Sequence, residues 1–216
     1  MSVVPHRFLF RAEFSVPRIA SLPRRKGLRI LDLPATCVLP DLGALDADPP
    51  FYTLRAAWNA QGLGFELDVR GKRRLPKGDI ANPTAADGLQ VWIDTRSTQN
   101  VHRATRFCHS FCFVPGSGKQ DPPAGVQTPV ARAREDAPLC DPENLLIAAD
   151  MSKDGYRLEA WLPADVLHGF DPEAQPRLGF CYLVRDFELG IHGLSVEGDF
   201  PYESDPSLWS VLRLMP

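Results

Sequence analysis

The sequence contains no apolar run of the roughly 20 residues that a membrane-spanning helix needs. It also has no secretory apolar segment. The best candidate near the start, Phe8-Leu9-Phe10, is cut off by Arg11 and Glu13, and Met1 stands at the first position. The five cysteines (Cys37, Cys108, Cys112, Cys140 and Cys181) are odd in number, which argues against a disulfide framework in a chain of 216 residues. Together these absences predict a cytoplasmic protein with reduced thiols. Surplus positive charge is missing too. A formal net charge of −3 gives no global attraction to nucleic acid or to an anionic membrane. Finally, there is no Gly-x-Ser-x-Gly elbow, no His-Glu-x-x-His pair, no phosphate loop and no dinucleotide fingerprint, so the common hydrolase and nucleotide signatures are absent.

What is present in quantity is proline. Twenty-one prolines are about twice the average share, and proline is excluded from helix interiors and central strands. Many turns and sheet edges follow. Short strand-like runs recur at Tyr52 to Trp58, Leu63 to Val69, Leu89 to Asp94, Val101 to Val114, Leu145 to Asp150, Tyr156 to Leu162, Leu178 to Val184 and Leu208 to Leu214. Edge strands are predicted at His6 to Arg11 and Leu28 to Leu33, and loops at residues 71–86 and 115–129. Asn59-Ala60-Gln61-Gly62 is a hairpin turn signal. One short helix is predicted at Ala164 to His168, started by Pro163 and stopped by Gly169. The pattern predicts an all-β, jelly-roll-like antiparallel β-sandwich with at most one or two short helices. It forms a single domain over 1–216, with 1–44 as N-terminal edge strands and loops packed on a core of 45–214.

Candidate chemistry is sparse. On an extended strand Cys108 and Cys112 lie about 13 Å apart, too far for a disulfide or for one zinc ion. His109 falls on the opposite face, between Phe107 and Phe111, and reads as a hydrogen-bonded core residue. The cysteines read as small members of a second apolar face. Glu66, Asp68, Asp94, Asp150, Glu159, Asp186 and Glu188 lie on or beside strands. A glycosidase needs two such carboxylates to converge, and the sequence leaves open which do. Two basic clusters, Arg24-Arg25-Lys26 and the group Arg70, Lys72, Arg73, Arg74 and Lys77, lack interleaved aromatics and read as solvated loops.

Four segments in order resemble family nine carbohydrate-binding modules and their DOMON-like relatives, over about residues 45–214. They are Ala56-Ala57-Trp58-Asn59 with Gly62-Leu63; Asn82-Pro83 through Asp87-Gly88-Leu89-Gln90-Val91-Trp92-Ile93-Asp94; Tyr156 through Trp161-Leu162-Pro163; and Asp205-Pro206-Ser207-Leu208-Trp209 with Leu212 and Leu214. The resemblance implies a jelly-roll sandwich that binds sugar ends, often beside a structural calcium ion, without catalysis of its own. Such modules hold a pyranose between two aromatic rings. Here Thr84 follows Asn82-Pro83 where an aromatic is expected, and Gln90 stands where the family has Glu. That amide keeps its hydrogen-bonding capacity but loses charge assistance.

The resulting expectation is a non-catalytic binding module for a carbohydrate or other small polar ligand on the sheet face. The candidate ligand-binding residues are Gln90, Trp92, Arg106 and Tyr202; Trp92, beside Gln90 and Asp94, is open to two readings, a stacking platform or, the favoured one, a structural residue. Trp58, Trp161 and Trp209 are assigned to the core. A structural calcium ion would have to use the loop after Asp94, which offers Thr95, Ser97, Thr98 and Asn100 but not the acidic spacing of a known calcium loop. The alternative is a protein-interaction or structural sandwich that has lost the sugar site and exposes an apolar patch. A hydrolase stands behind both, requiring His109, a carboxylate and Arg103 in one deep cleft.

Overall fold

The computed structural model describes residues 11–24, 29–42, 49–117, 121–194 and 200–216. The predicted strand at His6 to Arg11, the Phe8-Leu9-Phe10 cluster, Arg25 and Lys26 lie largely or wholly outside these residues.

Eleven strands are described: β1 (Glu13–Val16), β2 (Tyr52–Asn59), β3 (Gly62–Arg70), β4 (Gly88–Asp94), β5 (Cys108–Val114), β6 (Ala124–Thr128), β7 (Leu146–Met151), β8 (Gly155–Pro163), β9 (Arg177–Asp186), β10 (Gly190–Gly193) and β11 (Ser210–Leu214). They form two sheets. The larger runs β1-β11-β9-β4-β5-β6, with β10 also paired to β9; the smaller runs β2-β3-β8-β7. Every pair is antiparallel except β1 with β11. Helical structure among the described residues is limited to four three-residue 3-10 turns, including Ala164–Val166 within the predicted short helix. None of these could cross a membrane.

The two sheets make a β-sandwich because their strands place apolar side chains on the facing sides at period two. Leu89, Val91 and Ile93 of β4 join Phe111 and Phe113 of β5, Phe180 of β9 and Phe65 and Leu67 of β3 in one core. The Phe65 and Phe180 rings stack across the two sheets with centroids 5.6 Å apart. The β2–β3 hairpin turns where expected. Asn59 Oδ1 accepts the Gln61 amide at 2.8 Å, and Gly62 has φ +155 with Leu162 O only 2.2 Å from where a Cβ would stand.

Three segments depart from the sequence expectation. Of the strand expected at Leu28 to Leu33, the described residues 29–33 form a loop whose amides are claimed by carboxylates. Glu159 accepts from Ile30, Leu31 and Asp32, and Glu66 accepts from Leu33. Leu22, Leu31 and Leu33 then cover Trp161 and Ala57 on the outer face of the smaller sheet. The strand expected from Val101 begins only at Cys108. Ala104 O instead accepts from the Arg134 and Glu135 amides, and Thr105 O from the Cys108 amide, so 101–107 folds as a loop. Conversely, the 115–129 stretch hides edge strand β6. Its Gly125 lies against Ile147 and Leu145, where a Cβ would stand 2.9 Å from Ile147 Cδ1 and require that side chain to shift, so the glycine sits in a packed position of the strand.

Candidate functional site

The outer face of the larger sheet carries Gln90 and Trp92 of the four predicted ligand residues. Register places them in rows across the strands. Leu183, Gln90, Cys112 and Val126 make one row; Cys181, Trp92, Ser110 and Thr128 make the next. Gln90 Nε2 donates to Ser110 Oγ at 3.4 Å, and Ser110 Oγ is 3.0 Å from Thr128 Oγ1.

The four predicted residues do not converge. Trp92 is 1% exposed and Tyr202 8% exposed. Their rings meet edge to face with centroids 5.6 Å apart, inside a second apolar layer with Trp209, Cys108, Cys181 and Val130. Neither ring is therefore presented to solvent as a sugar platform. The alternation that put Trp92 on the outer face was right, but loops close over that half of the face. Trp58, Trp161 and Trp209 are buried as expected. Arg106 is exposed but lies beyond the Cys108 end of β5, whereas Gln90 faces Cys112, four residues or about 13 Å further along.

What stays open is the end of the face around Gln90. A hollow there is lined by Pro83, Thr84, Gly88, Gln90, Leu183 and Arg185. Its enclosed volume is about 10 Å³, room for about one water, so any larger ligand must rest on this surface rather than inside it. Gly88 is obligatory: its φ is +143, and a Cβ would meet Phe113 O at 2.0 Å.

Arg185 is the residue that the sequence did not single out. It sits on β9 opposite Gly88, half-buried, with no ion pair or side-chain hydrogen bond among the described residues. Its Nε is buried with no partner. A desolvated donor left unpaired costs about 1–3 kcal/mol, so the buried Nε of Arg185 is a donor available to an acceptor seated at the hollow.

The walls of the hollow are set by a buried cluster. Lys72, read from sequence as part of a solvated basic loop, is only 4% exposed. Its Nζ lies 2.5 Å from Asp186 Oδ2 and 3.4 Å from Asp87 Oδ2, and 4.8 Å from the Phe187 ring centroid. Asp87 also accepts from the amides of Lys77 and Phe187. Burial, only partly offset by these two amides, raises its pKa. Lys72 and Asp87 therefore fasten the loop carrying Thr84 to the strand carrying Arg185.

Other chemistry does not assemble. Glu66 and Glu159 are register partners across β3 and β8. Both are engaged by the 30–33 amides under a covering loop, and burial raises the pKa of Glu66. His109 is fully buried, donating from Nε2 to His168 O at 3.3 Å and accepting from Gln127 at Nδ1. Burial pushes its pKa down to about 4. No carboxylate is bonded to it, and Arg103 instead donates to the carbonyls of Arg132 and Ala133. His102, Asp205 and Ser207 do meet, yet both Asp205 Oδ2 and Ser207 Oγ reach the same Nδ1, at 3.1 Å each. An imidazole relaying a proton must use its two nitrogens separately, so this is no triad. The Asp94 loop does not suit calcium either. Asp94 Oδ1 and Oδ2 accept the Arg96 and Thr98 amides, the Thr95 hydroxyl donates to His168 O, and no second carboxylate joins.

A scan against protein families finds no match, and no curated protein sequence matches. Solved structures do. A family 9 carbohydrate-binding module from Caldicellulosiruptor kristjanssonii, in complex with glucose, superposes with TM-score 0.61 at 12% identity, covering 94% of this chain and 96% of that one. This chain has the fold of a family 9 carbohydrate-binding module. The cellotriose complex of the Caldicellulosiruptor module gives TM-score 0.60 at 13% identity, with 94% and 93% coverage. A Bacteroides uniformis protein provisionally described as carbohydrate-binding gives 0.52 at 9% identity, with 76% and 78% coverage. The shared fold accounts for the two-sheet sandwich.

Proposed function

We propose that this protein is a non-catalytic carbohydrate-binding module whose sugar rests on the open end of the larger sheet, over Gln90 and Arg185. The observation that carries the reading is the unpaired, half-buried Arg185 guanidinium beside the Gln90 amide. A guanidinium fork and an amide together offer donors and one acceptor, which suits the adjacent hydroxyls of a sugar. The two Caldicellulosiruptor structures hold glucose and cellotriose, which makes glucose and its short oligomers the first ligands to try. With Thr84 in place of an aromatic and Trp92 buried, stacking contributes little, so binding is weak and rests on hydrogen bonds.

Isothermal titration calorimetry with glucose, cellobiose and cellotriose tests this. The expected result is a saturable signal near about 1 mM, equivalent to roughly −4 kcal/mol. Arg185→Ala abolishes it and Arg185→Lys restores it only in part, because an ammonium lacks the planar fork. A flat response with all three sugars defeats the reading.

A specific observation supports a second reading. Leu75, Ile80 and Phe187 are exposed, and Glu188 and Asp87 tie their loops together through the amides of Arg73, Arg74 and Phe187. An apolar edge of this kind suits a protein partner.

A further inference from the structure

The geometry points to a second binding site, for a phosphate- or sulfate-bearing ligand, in the arginine-lined cleft at the opposite end of the sheet from Gln90. The cleft holds about 510 Å³ and is lined by Arg96, Arg106, Arg134, Phe107, Thr98 and Glu135, among others. That volume lies within the usual range for small-molecule sites.

Its chemistry is unusual for a chain of net charge −3. Three arginines against one glutamate leave a lining of +2. The charges come from three separate segments: the turn after β4, the loop before β5 and the loop after β6. Two of the guanidiniums share one ring, with Arg96 Cζ 4.7 Å and Arg106 Cζ 5.4 Å from the Phe107 centroid. His168 stacks on the same ring at 5.2 Å. Stacking on an aromatic fixes a guanidinium plane and leaves its N–H edges free to donate. Among the described residues the only acid paired with these arginines is Glu135, 3.7 Å from Arg106, while Arg96 and Arg134 have none.

The backbone beneath is pinned. Asp94 Oδ1 accepts the Arg96 amide at 2.9 Å, and Gln175 donates to Arg96 O. Ala104 O accepts the Arg134 amide at 2.7 Å, and Arg103 holds the carbonyls of Arg132 and Ala133. Three arginines lining one cleft from fixed backbone suit a tetrahedral oxyanion, whose charge as a phosphate monoester is about −1.5 to −2 at neutral pH. Glu135 lies where that anion would compete with it for Arg106. The site is separate from the sugar-binding surface and stands or falls without it.

The test is calorimetry on the full chain at low salt, since screening weakens exposed charges. Titrants are glucose 6-phosphate, inorganic phosphate and glucose, all run in the Arg185→Ala background so that the surface over Gln90 adds no signal. Saturable binding of glucose 6-phosphate but not of glucose is expected, weakened at least about fivefold by Arg96→Gln and by Arg134→Gln, and strengthened about twofold by Glu135→Gln. Equal binding of inorganic phosphate assigns the site to the free anion, and tighter binding of the ester assigns it to a phosphorylated sugar; either supports the proposal. No binding of either phosphate at low salt overturns it. So does binding that survives both arginine substitutions in folded protein, checked by circular dichroism.

Discussion

Tyr202 stands perpendicular to Trp92, ring centroids 5.6 Å apart, and the indole beneath it is almost wholly out of solvent. Trp209 belongs to the same layer and donates its indole N–H to Tyr202 O at 2.7 Å. These aromatics hold the closing loop onto the sheet and are not a sugar platform. Trp92→Ala should therefore cost about 3–5 kcal/mol of stability, the range for removing a large buried aromatic. Chemical denaturation measures that loss. A variant of unchanged stability that had lost only sugar binding would contradict the assignment.

Lys72 makes a similar prediction for the other end of the face. Removing one partner from a buried ionic cluster leaves uncompensated charge and costs about 3–5 kcal/mol. Lys72→Met leaves Asp87 and Asp186 facing one another without their cation. Thermal unfolding should show a large drop in midpoint. The double change Lys72→Met with Asp186→Asn should recover part of it.

His109 predicts how stability changes in mild acid. Its folded pKa of about 4 lies below the ordinary value of 6.5 because burial disfavours the charged ring. Unfolded chains therefore bind the proton first as pH falls, so the contribution is complete above about 6.5 and lost on descending to about 4. The difference corresponds to about 3 kcal/mol. Urea unfolding at pH 7, 5.5 and 4.5 should show declining stability, and His109→Gln should flatten that decline.

The thiols make a simple prediction. Burial pushes Cys108, Cys112 and Cys181 up to about 12, so none is a thiolate near neutrality. Cys37 is buried as well, while Cys140 is partly exposed. Titration at pH 8 with an aromatic disulfide reagent should label Cys140 first and the other four only on unfolding. Rapid labelling of several cysteines in native protein would contradict the burial.

The strands that alternate cleanly were legible in sequence. β4 shows Leu89, Val91 and Ile93 inward and Gln90, Trp92 and Asp94 outward, as its period demands. Alternation names a face but not what covers it, so it leaves Trp92 open between a platform and a core residue, and only the covering Tyr202 and Trp209 decide for the core. Lys72 was misread because charge in a basic run looks the same whether solvated or paired with Asp87 and Asp186 fifteen or more residues away. Arg185 was passed over because it ends a strand as one arginine among many. Its position opposite Gly88, with no ion pair among the described residues, distinguishes it. β6 was hidden because Gly125 signals a loop unless its neighbours Ile147 and Leu145 are known.

The most direct test is an amide chemical-shift titration of the isotope-labelled protein with cellotriose. Saturable shifts clustered at Gln90, Thr84 and Arg185, absent in Arg185→Ala, are the predicted result. Shifts centred elsewhere, or none at saturating sugar, would contradict the claim that this face holds a carbohydrate.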